Sequence, residues 1–253
     1  DEERYLMRHI EDLARTASSR GIARYSGFLS DREQQLAQAA LNRTDMPEDE
    51  IRFDGGWPGA ERKLLCLEPV DSYPASPLCC VRLQCRALPG AQLPVHKDYL
   101  GSLMGLELRR EALGDIVLPE DQPGVAYAFA LEPAAELICQ ELRQAGHTDL
   151  TAEMQPLETL PAFPQAERPR QTATVSSLRL DAVLAAMLRC SRGMAAELVT
   201  AGRVEINHLP AESVHAPVYE DDVFTVRGKG RFQLTALPGK SKKDRLIIEY
   251  FQY

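Results

Sequence analysis

The residues of this chain best suited to chemistry are polar and cationic side chains near predicted helix ends and glycine turns. They are Arg179, Ser191, Arg192, Arg203, Arg227, Lys229 and Arg231. Lys and Arg side chains neutralise phosphate charge, and glycines let a backbone approach a phosphate closely. A small segment that gathers cations from distant parts of the chain suits a phosphate backbone better than a small substrate. We therefore predict that these seven residues contact the phosphate backbone of a nucleic acid such as RNA.

Several of these residues also have a plainer interpretation. Ser191 and Arg192 open a predicted helix, whose first N–H groups and dipole favour a phosphate, but Ser191 could act only as an N-cap. Arg203 follows a glycine and could instead complement the negative end of the preceding helix. Arg179 could pair with Asp181, although an exposed ion pair is worth only about 0–1 kcal/mol.

The sequence RGKGR at 227–231 places two glycines between three cations. We predict that its backbone and side chains approach a phosphate, with a β-bulge as the alternative. A second basic run contains Lys240, Lys242, Lys243 and Arg245. A solvated charged turn is the favoured interpretation of that run.

Two short helices and two short strands must position these cations. Apolar spacing predicts helices over 178–188 and 191–201, joined by a tight turn and closed by Gly202. Strands are predicted over 204–207 and 222–227. The unit therefore brings together cations that are far apart in the chain.

The whole chain is predicted to be α+β, with three further segments before this unit. Residues 1–75 form a mainly helical N-terminal subdomain, and residues 76–160 form a ferredoxin-like (RRM-like) β-α-β-β-α-β domain. Repeated prolines block both helix and central strand, so residues 161–173 are predicted to be a Pro-rich linker. Residues 174–253 are predicted to form the domain that carries the cations described above, with a basic C-terminal tail.

The order within the middle segment follows from hydrophobic periodicity. Strands are predicted over 78–88, 115–118, 125–131 and 151–157, and helices over 96–106, 109–113 and 133–145. The middle strands carry Tyr127 and Phe129 without the RNP-type aromatic motif of RNA-recognition folds. The motif evidence for RNA contact thus lies in the last segment.

Charge is distributed unevenly along the chain, whose net charge is −8 at pH 7. Residues 170–253 carry 12 Lys and Arg against 9 Asp and Glu, whereas residues 1–169 carry 17 against 28. The cations are thus concentrated where the motif lies. We expect the acidic front half to suppress indiscriminate binding to nucleic acid.

Composition disfavours several other classes of protein and site. No run approaches the roughly 18 apolar residues of a membrane helix, and no charged-then-apolar leader is present, so we predict a cytoplasmic protein. The six cysteines contain no C-x-x-C pair, which predicts reduced core thiols rather than zinc ligands. We predict no metal and no other cofactor.

Residues 175–234 resemble the S-four RNA-binding domain, named for small-subunit ribosomal protein four. The matching residues are Arg179-Leu180-Asp181, Ser191-Arg192, Ala195-Ala196-Glu197-Leu198-Val199, Gly202-Arg203-Val204, Asn207, Asp222 and Arg227-Gly228-Lys229-Gly230-Arg231. They stand in the expected order and at the expected spacing. The resemblance implies that this domain binds RNA.

Nearly the full length resembles the bacterial YlmH family. The motifs are Phe28-Leu29-Ser30-Asp31-Arg32-Glu33, GGWPGAERK at 55–63, HKDYLGSLMGL at 96–106, and Arg109-Arg110 with Gly114-Asp115-Ile116. The resemblance implies a non-enzymatic, ribosome-associated protein linked to rescue of stalled large subunits that still hold peptidyl-tRNA. In related quality-control factors the S-four domain contacts ribosomal RNA and tRNA together. Met194 stands where the family usually has a basic residue, and Glu107 where glycine is common.

The GGWPGAERK turn is a possible second contact outside the RNA-binding domain. It holds three glycines, a proline, the single tryptophan and the adjacent cations Arg62 and Lys63. A structural turn that packs Trp57 against the helical subdomain is the favoured interpretation. Contact of Arg62 and Lys63 with RNA or the ribosome is the alternative.

Other functions fit parts of the sequence. A pseudouridine synthase could use an aspartate in an Arg-Leu-Asp setting, but in those enzymes the catalytic domain follows the RNA-binding domain, and only 19 residues follow Leu234. Tyrosyl-tRNA synthetases place the domain last, but PGKS at 238–241 lacks the first glycine of a P-loop, which would fall at Leu234. An adaptor whose acidic front half binds a basic protein is a further alternative.

We therefore predict a monomeric binding protein that is not an enzyme. Its expected partners are structured RNA, either rRNA or tRNA, and the ribosomal large subunit, in translation or ribosome quality control. An RNA-modifying enzyme of the pseudouridine synthase type and a protein-interaction adaptor are the alternatives.

Overall fold

The computed structural model describes residues 2–86, 92–163, 169–241 and 244–253. It has two compact units, Asp1–Gln165 and Ala166–Tyr253, which we call the N-terminal and C-terminal units. Part of the predicted linker, and Lys242 and Lys243 of the second basic run, lie outside the described residues.

The N-terminal unit begins with two helices on a small antiparallel sheet. The helices are α1 (Glu2–Arg20) and α2 (Asp31–Leu41), and the strands β1 (Arg24–Leu29), β2 (Ile51–Asp54) and β3 (Lys63–Leu67) lie in the order β1-β3-β2. The Ser30 hydroxyl accepts a hydrogen bond from the Glu33 N–H, and the Glu33 carboxylate accepts one from the Ser30 N–H. This capping box begins α2, in the segment that the sequence predicts to be mainly helical.

A larger antiparallel sheet follows in the same unit. Its elements are β4 (Leu78–Cys85), α3 (His96–Met104), β5 (Leu113–Val117), β6 (Val125–Leu131), α4 (Glu132–Glu141), β7 (Gln144–Ala145) and β8 (Thr148–Gln155). The strand order is β5-β6-β4-β8-β7, and the two-residue β7 only extends the edge at β8. The remaining four strands have the β-α-β-β-α-β connections and antiparallel order of the ferredoxin-like fold, which confirms the predicted α+β class.

One apolar cluster joins the helical segment to this sheet. Phe28 and Leu64 from the small sheet are buried together with Phe129 from β6. The thiols of Cys66 and Cys80 lie in the same cluster, and burial raises the pKa of each to about 12. Residues 1–75 therefore share a core with residues 76–160, and these two thiols are neutral packing groups.

The C-terminal unit consists of two helices on a six-stranded antiparallel sheet. Its elements are β9 (Gln171–Val175), α5 (Leu180–Met187), α6 (Arg192–Thr200), β10 (Val204–Ile206), β11 (Leu209–Pro210), β12 (Val223–Val226), β13 (Gly230–Lys240) and β14 (Leu246–Gln252). The strands lie in the order β11-β10-β12-β13-β14-β9. The helices and the strands β10 and β12 lie where the sequence predicts them, with ends that differ by one or two residues.

Two strands of this sheet lie in segments where the sequence predicts no strand. β9 overlaps the end of the 161–173 linker, and β14 lies in the predicted basic tail. The two strands pair with each other, from Val175 opposite Leu246 to Gln171 opposite Tyr250. Each strand therefore supplies the hydrogen-bond partners that the other requires, and the domain extends through residue 252.

The described parts of the chain contain no helix long and apolar enough to cross a membrane. Nor do the residues that the structure describes bring together three His, Cys, Asp or Glu side chains able to hold a metal ion.

Candidate nucleic-acid interface

Asp181 joins two of the predicted RNA-binding arginines. Its carboxylate accepts hydrogen bonds from Arg179 at 3.2 Å to each oxygen, and from Arg192 at 3.1 and 2.6 Å to one oxygen. Arg179 precedes α5 and Arg192 begins α6, so the pairing ties the two helix starts together. The Asp181 side chain is 6% exposed, whereas those of Arg179 and Arg192 are 41% and 48% exposed.

The pKa of Asp181 reflects a competition between burial and pairing. Burial in itself raises this pKa, but the hydrogen bonds and charges of Arg192 and Arg179 outweigh it and hold the pKa below its usual range. Asp181 is therefore ionised at neutral pH. One buried anion thus holds two half-exposed cations, which leaves a net positive surface at the helix starts.

His215 belongs to the same group, although the sequence reasoning did not single it out. Its Nδ1 lies within hydrogen-bond distance of the Arg179 guanidinium, and its ring is exposed. The segment that carries it also caps α5, because the Leu180 N–H donates to the carbonyl of Ala216. The sequence does not indicate this contact, because His215 lies 36 residues from Arg179 in a stretch without hydrophobic periodicity.

Ser191 is the N-cap of α6. Its hydroxyl accepts a hydrogen bond from the Met194 N–H at 3.1 Å. The predicted capping role is confirmed, while the predicted contact between Ser191 and RNA stays a prediction. Met194, which stands where the resembled family usually has a basic residue, is exposed on the first turn of α6. This position therefore faces solvent.

Arg203 is held across the turn between β12 and β13. Its guanidinium donates to the carbonyl of Arg227 at 2.8 Å, and a side chain at Gly228 would come within 3.1 Å of the same guanidinium. Gly228 also has a φ of +80°, a conformation that favours glycine. A glycine at 228 therefore lets Arg203 lie against the turn.

The predicted phosphate-binding turn is a short hairpin loop. Val226 lies opposite Gly230, the register from β12 to β13 is unbroken, and the Lys229 N–H donates to the carbonyl of Val226 at 2.9 Å. The side chains of Arg227 and Lys229 are exposed, and the guanidinium of Arg231 lies over the ring of Tyr253. The hairpin loop therefore presents the Arg227 and Lys229 side chains to solvent.

Two further residues of the S-four motif have structural roles. Asn207 donates to the Asp222 carboxylate at 2.8 Å and accepts from the Val223 N–H at 2.9 Å. The other oxygen of Asp222 accepts from the Tyr219 N–H at 2.8 Å. This network fixes β10 against β12, and Asn207 tolerates its φ of +49° better than most residues.

Arg62, a possible second RNA contact, makes several hydrogen bonds within the N-terminal unit. Its guanidinium donates to the backbone carbonyls of Phe28, Arg110 and Leu113 at 2.9 to 3.0 Å. Burial lowers the pKa of Arg62, and the nearby charge of Arg110 lowers it further. The donors of Arg62 serve backbone carbonyls of its own unit, so this residue has a structural role, and its contact with RNA stays a prediction. Lys63 is half-buried at the start of β3.

Asp115 holds the rest of the GGWPGAERK turn. Its carboxylate accepts from the Glu61 N–H at 2.7 Å, the Arg62 N–H at 3.2 Å and the Trp57 indole N–H at 3.3 Å. The Trp57 ring packs edge-on against Phe163 with centroids 5.7 Å apart. The structural interpretation of this turn is confirmed. Trp57 packs against the apolar cluster that contains Phe28 and Leu64 of the small sheet and Phe129 of β6.

Comparisons with known proteins agree with the motifs. A model of the S4 domain matches residues 178–224. The "Ribosome-associated protein quality control protein P2" of Bacillus subtilis is 34% identical over 226 residues, which cover 88% of this chain and 84% of that protein. The solved structure titled "Cell division protein ylmH from Streptococcus pneumoniae" matches with a TM-score of 0.48 at 13% identity, over 63% of this chain and 95% of that one.

Proposed function

The chain belongs to the YlmH family, and on that premise we propose that it is an RNA-binding protein that associates with the ribosome. Its C-terminal unit would hold structured RNA mainly through phosphates and shape, because an RNA duplex hides the base edges of its deep groove. The N-terminal unit would not be a principal RNA contact.

The observation that carries this proposal is the shared carboxylate of Asp181. It holds Arg179 and Arg192 in fixed positions beside the N-terminus of α6, where both cations remain half-exposed. An arginine that is already oriented loses less side-chain entropy when it binds a phosphate. The hairpin cations Arg227 and Lys229, with Arg203 behind them, would extend the same kind of contact.

The finer proposal is that the RNA is rRNA or tRNA on the ribosomal large subunit, in ribosome quality control. The Bacillus subtilis relative is named as a ribosome-associated quality control protein, which supports this proposal. We further propose that the protein acts in the cytoplasm as a monomer, without a cofactor, and is not an enzyme.

One structural observation argues against the pseudouridine synthase alternative. Asp181 of the Arg-Leu-Asp motif is buried, and both of its carboxylate oxygens accept hydrogen bonds from arginines. A catalytic aspartate must instead reach its substrate. Asp181 is therefore better suited to orienting cations than to attacking a base.

Co-sedimentation of the purified protein with separated ribosomal subunits tests the proposal. The double variant Arg227→Ala/Lys229→Ala should release the protein from large subunits at about 100 mM salt, since both side chains are exposed phosphate contacts in the proposal. The matched control, Arg8→Ala/Arg20→Ala, removes two exposed cations from the N-terminal unit and should stay bound.

Two results would contradict the proposal. Wild-type protein that sediments with neither subunit would refute ribosome association. Association that survives nuclease digestion of the RNA would instead favour the adaptor alternative.

A further inference from the structure

A group of aromatic and polar side chains lies on the C-terminal sheet, on the face away from its core. Strands β13 and β14 bury alternate side chains, among them Phe232 and Tyr250. Because side chains alternate between the faces of a sheet, the intervening ones share the opposite face. These are Arg231, Gln233, Phe251 and Tyr253.

Contacts within this group fix its geometry. The rings of Phe251 and Tyr253 have centroids 5.0 Å apart and an interplanar angle of 55°. The Arg231 guanidinium carbon lies 4.2 Å from the centre of the Tyr253 ring, and the Tyr253 hydroxyl donates to Gln233 Oε1 at 2.9 Å. Tyr253 is nevertheless 39% exposed. The ring is therefore oriented before any ligand arrives.

The group is continuous with the basic hairpin loop. Arg231 is two residues beyond Lys229, and the Gln252 side chain donates to the Lys229 carbonyl at 3.1 Å. On the other side of β14, Arg170 pairs with Glu249 at 3.9 Å and is largely exposed. Lys229 and Arg231 thus place cations on the loop side of the aromatic rings, whereas the charge of Arg170 is offset by Glu249. Cations beside aromatic rings complement a polyanion and disfavour a purely apolar partner.

We propose that Tyr253, Phe251 and Arg231 form a stacking platform for an unpaired base of the RNA whose phosphates bind the 227–231 loop. The platform rests on the RNA-binding function proposed above. Proteins recognise unpaired bases by stacking them on aromatic rings and guanidinium planes, with adjacent cations on the backbone. In this arrangement Arg231 supports a base rather than a phosphate.

Two RNA probes distinguish this platform from general RNA binding. One is a blunt hairpin whose strands are joined by a non-nucleotide linker, so that it has no unpaired base, and the other is the same hairpin with a single-stranded tail of about five nucleotides that contains 2-aminopurine. Tyr253→Ala should weaken binding of the tailed hairpin by about tenfold, the effect of losing one base–aromatic stack, and should leave the blunt hairpin within about twofold. Quenching of 2-aminopurine by the wild-type protein should be lost with the same variant.

Matched variants separate stacking from folding. Tyr253→Phe keeps the ring and should bind both probes like the wild-type protein, and Tyr73→Ala removes a tyrosine that is 95% exposed on the N-terminal unit and should change neither affinity. Equal melting temperatures of Tyr253→Ala and Tyr253→Phe would exclude loss of the fold as the cause.

The platform is overturned if Tyr253→Ala binds the tailed hairpin as tightly as the wild-type protein does. It is also overturned if Tyr253→Ala lowers the affinity for both probes equally, because losing a stack on an unpaired base cannot lower the affinity for a probe that has no unpaired base. A wild-type protein that binds neither probe would refute the RNA-binding function itself, and the platform with it.

Discussion

At the scale of single residues, ion pairs with one buried carboxylate determine where the side chains of two predicted RNA-binding arginines lie. Sequence spacing alone predicts that Arg179 and Arg192 both contact RNA, with a local ion pair to Asp181 as the alternative for Arg179. The structure joins both to Asp181, which is buried. The pairing across 11 residues could not be predicted, because it depends on the packing of α5 against α6.

The first prediction concerns Asp181→Asn. This variant removes the charge that holds two arginines, so we expect the free energy of unfolding at pH 7 to fall by about 1–3 kcal/mol. Because the folded pKa of Asp181 is lowered, its stabilisation is complete above the unfolded pKa of about 3.9 and is lost as pH falls through the folded pKa. The difference between wild type and variant should therefore shrink below about pH 4, as urea denaturation at several pH values would measure.

Asp221→Asn is the control for that experiment. Asp221 is an exposed carboxylate of the same unit, and asparagine tolerates its φ of +67°. We expect a change within about 0.5 kcal/mol at every pH. A pH-independent difference for Asp181→Asn would show that its carboxylate is not preferentially stabilised in the fold.

The second prediction concerns Arg62→Ala. Three backbone carbonyls would lose a charged donor, so the free energy of unfolding should fall by about 2–4 kcal/mol. Denaturation followed by the fluorescence of Trp57, the single tryptophan, reports this unit directly. Affinity for the blunt hairpin RNA should be unchanged. Lys63→Ala should lower the free energy of unfolding by less than about 1 kcal/mol. If Arg62→Ala instead kept its stability and lost affinity for the RNA, Arg62 would be a binding residue.

At the scale of elements, the sequence predicts what local periodicity determines. The helices α5 and α6 and the ferredoxin-like strands have strong apolar spacing, and the structure confirms them. β1 was missed because Ser26 and Gly27 interrupt its apolar pattern, yet the Ser26 hydroxyl accepts from the Leu65 N–H on β3. β9 was missed because it follows a proline-rich stretch and becomes a strand only through its partner β14.

The third prediction tests whether β14 is part of the domain rather than a tail. Ile248 is fully buried on β14, so Ile248→Asp would bury an unpaired charge and should cost more than about 4 kcal/mol. We expect limited proteolysis with mass spectrometry to show cleavage throughout the C-terminal unit and loss of RNA binding. The neighbouring Glu249→Gln should remain resistant, and resistance of Ile248→Asp would place β14 outside the domain.

At the scale of the whole molecule, the two units differ in charge. Within residues 1–169, the 28 Asp and Glu outnumber the 17 Lys and Arg, whereas residues 170–253 are net positive. A net charge of −8 therefore does not argue against RNA binding, since screening confines the effect of exposed charges to about 10 Å at 0.1 M salt.

The fourth prediction follows from the number of proposed phosphate contacts. If about five cations each neutralise a phosphate, the logarithm of affinity should fall against the logarithm of salt concentration with a slope of roughly −4. Lys229→Ala should reduce that slope by about 1, whereas Arg8→Ala should not change it. Fluorescence anisotropy with the blunt hairpin between about 50 and 200 mM salt measures both slopes. A flat dependence for the wild-type protein would refute phosphate recognition.

The pairing of β9 with β14 also has a consequence for how the protein is made. During synthesis Gln171–Val175 leaves the ribosome well before Leu246–Gln252, and until then its backbone groups have no strand partner. The RNA-binding unit therefore completes its sheet only after its last strand has emerged, and closing so long a loop is slow compared with forming its helices. A nascent chain stalled before residue 246 would expose an incomplete sheet edge and would not yet have its own RNA-binding surface.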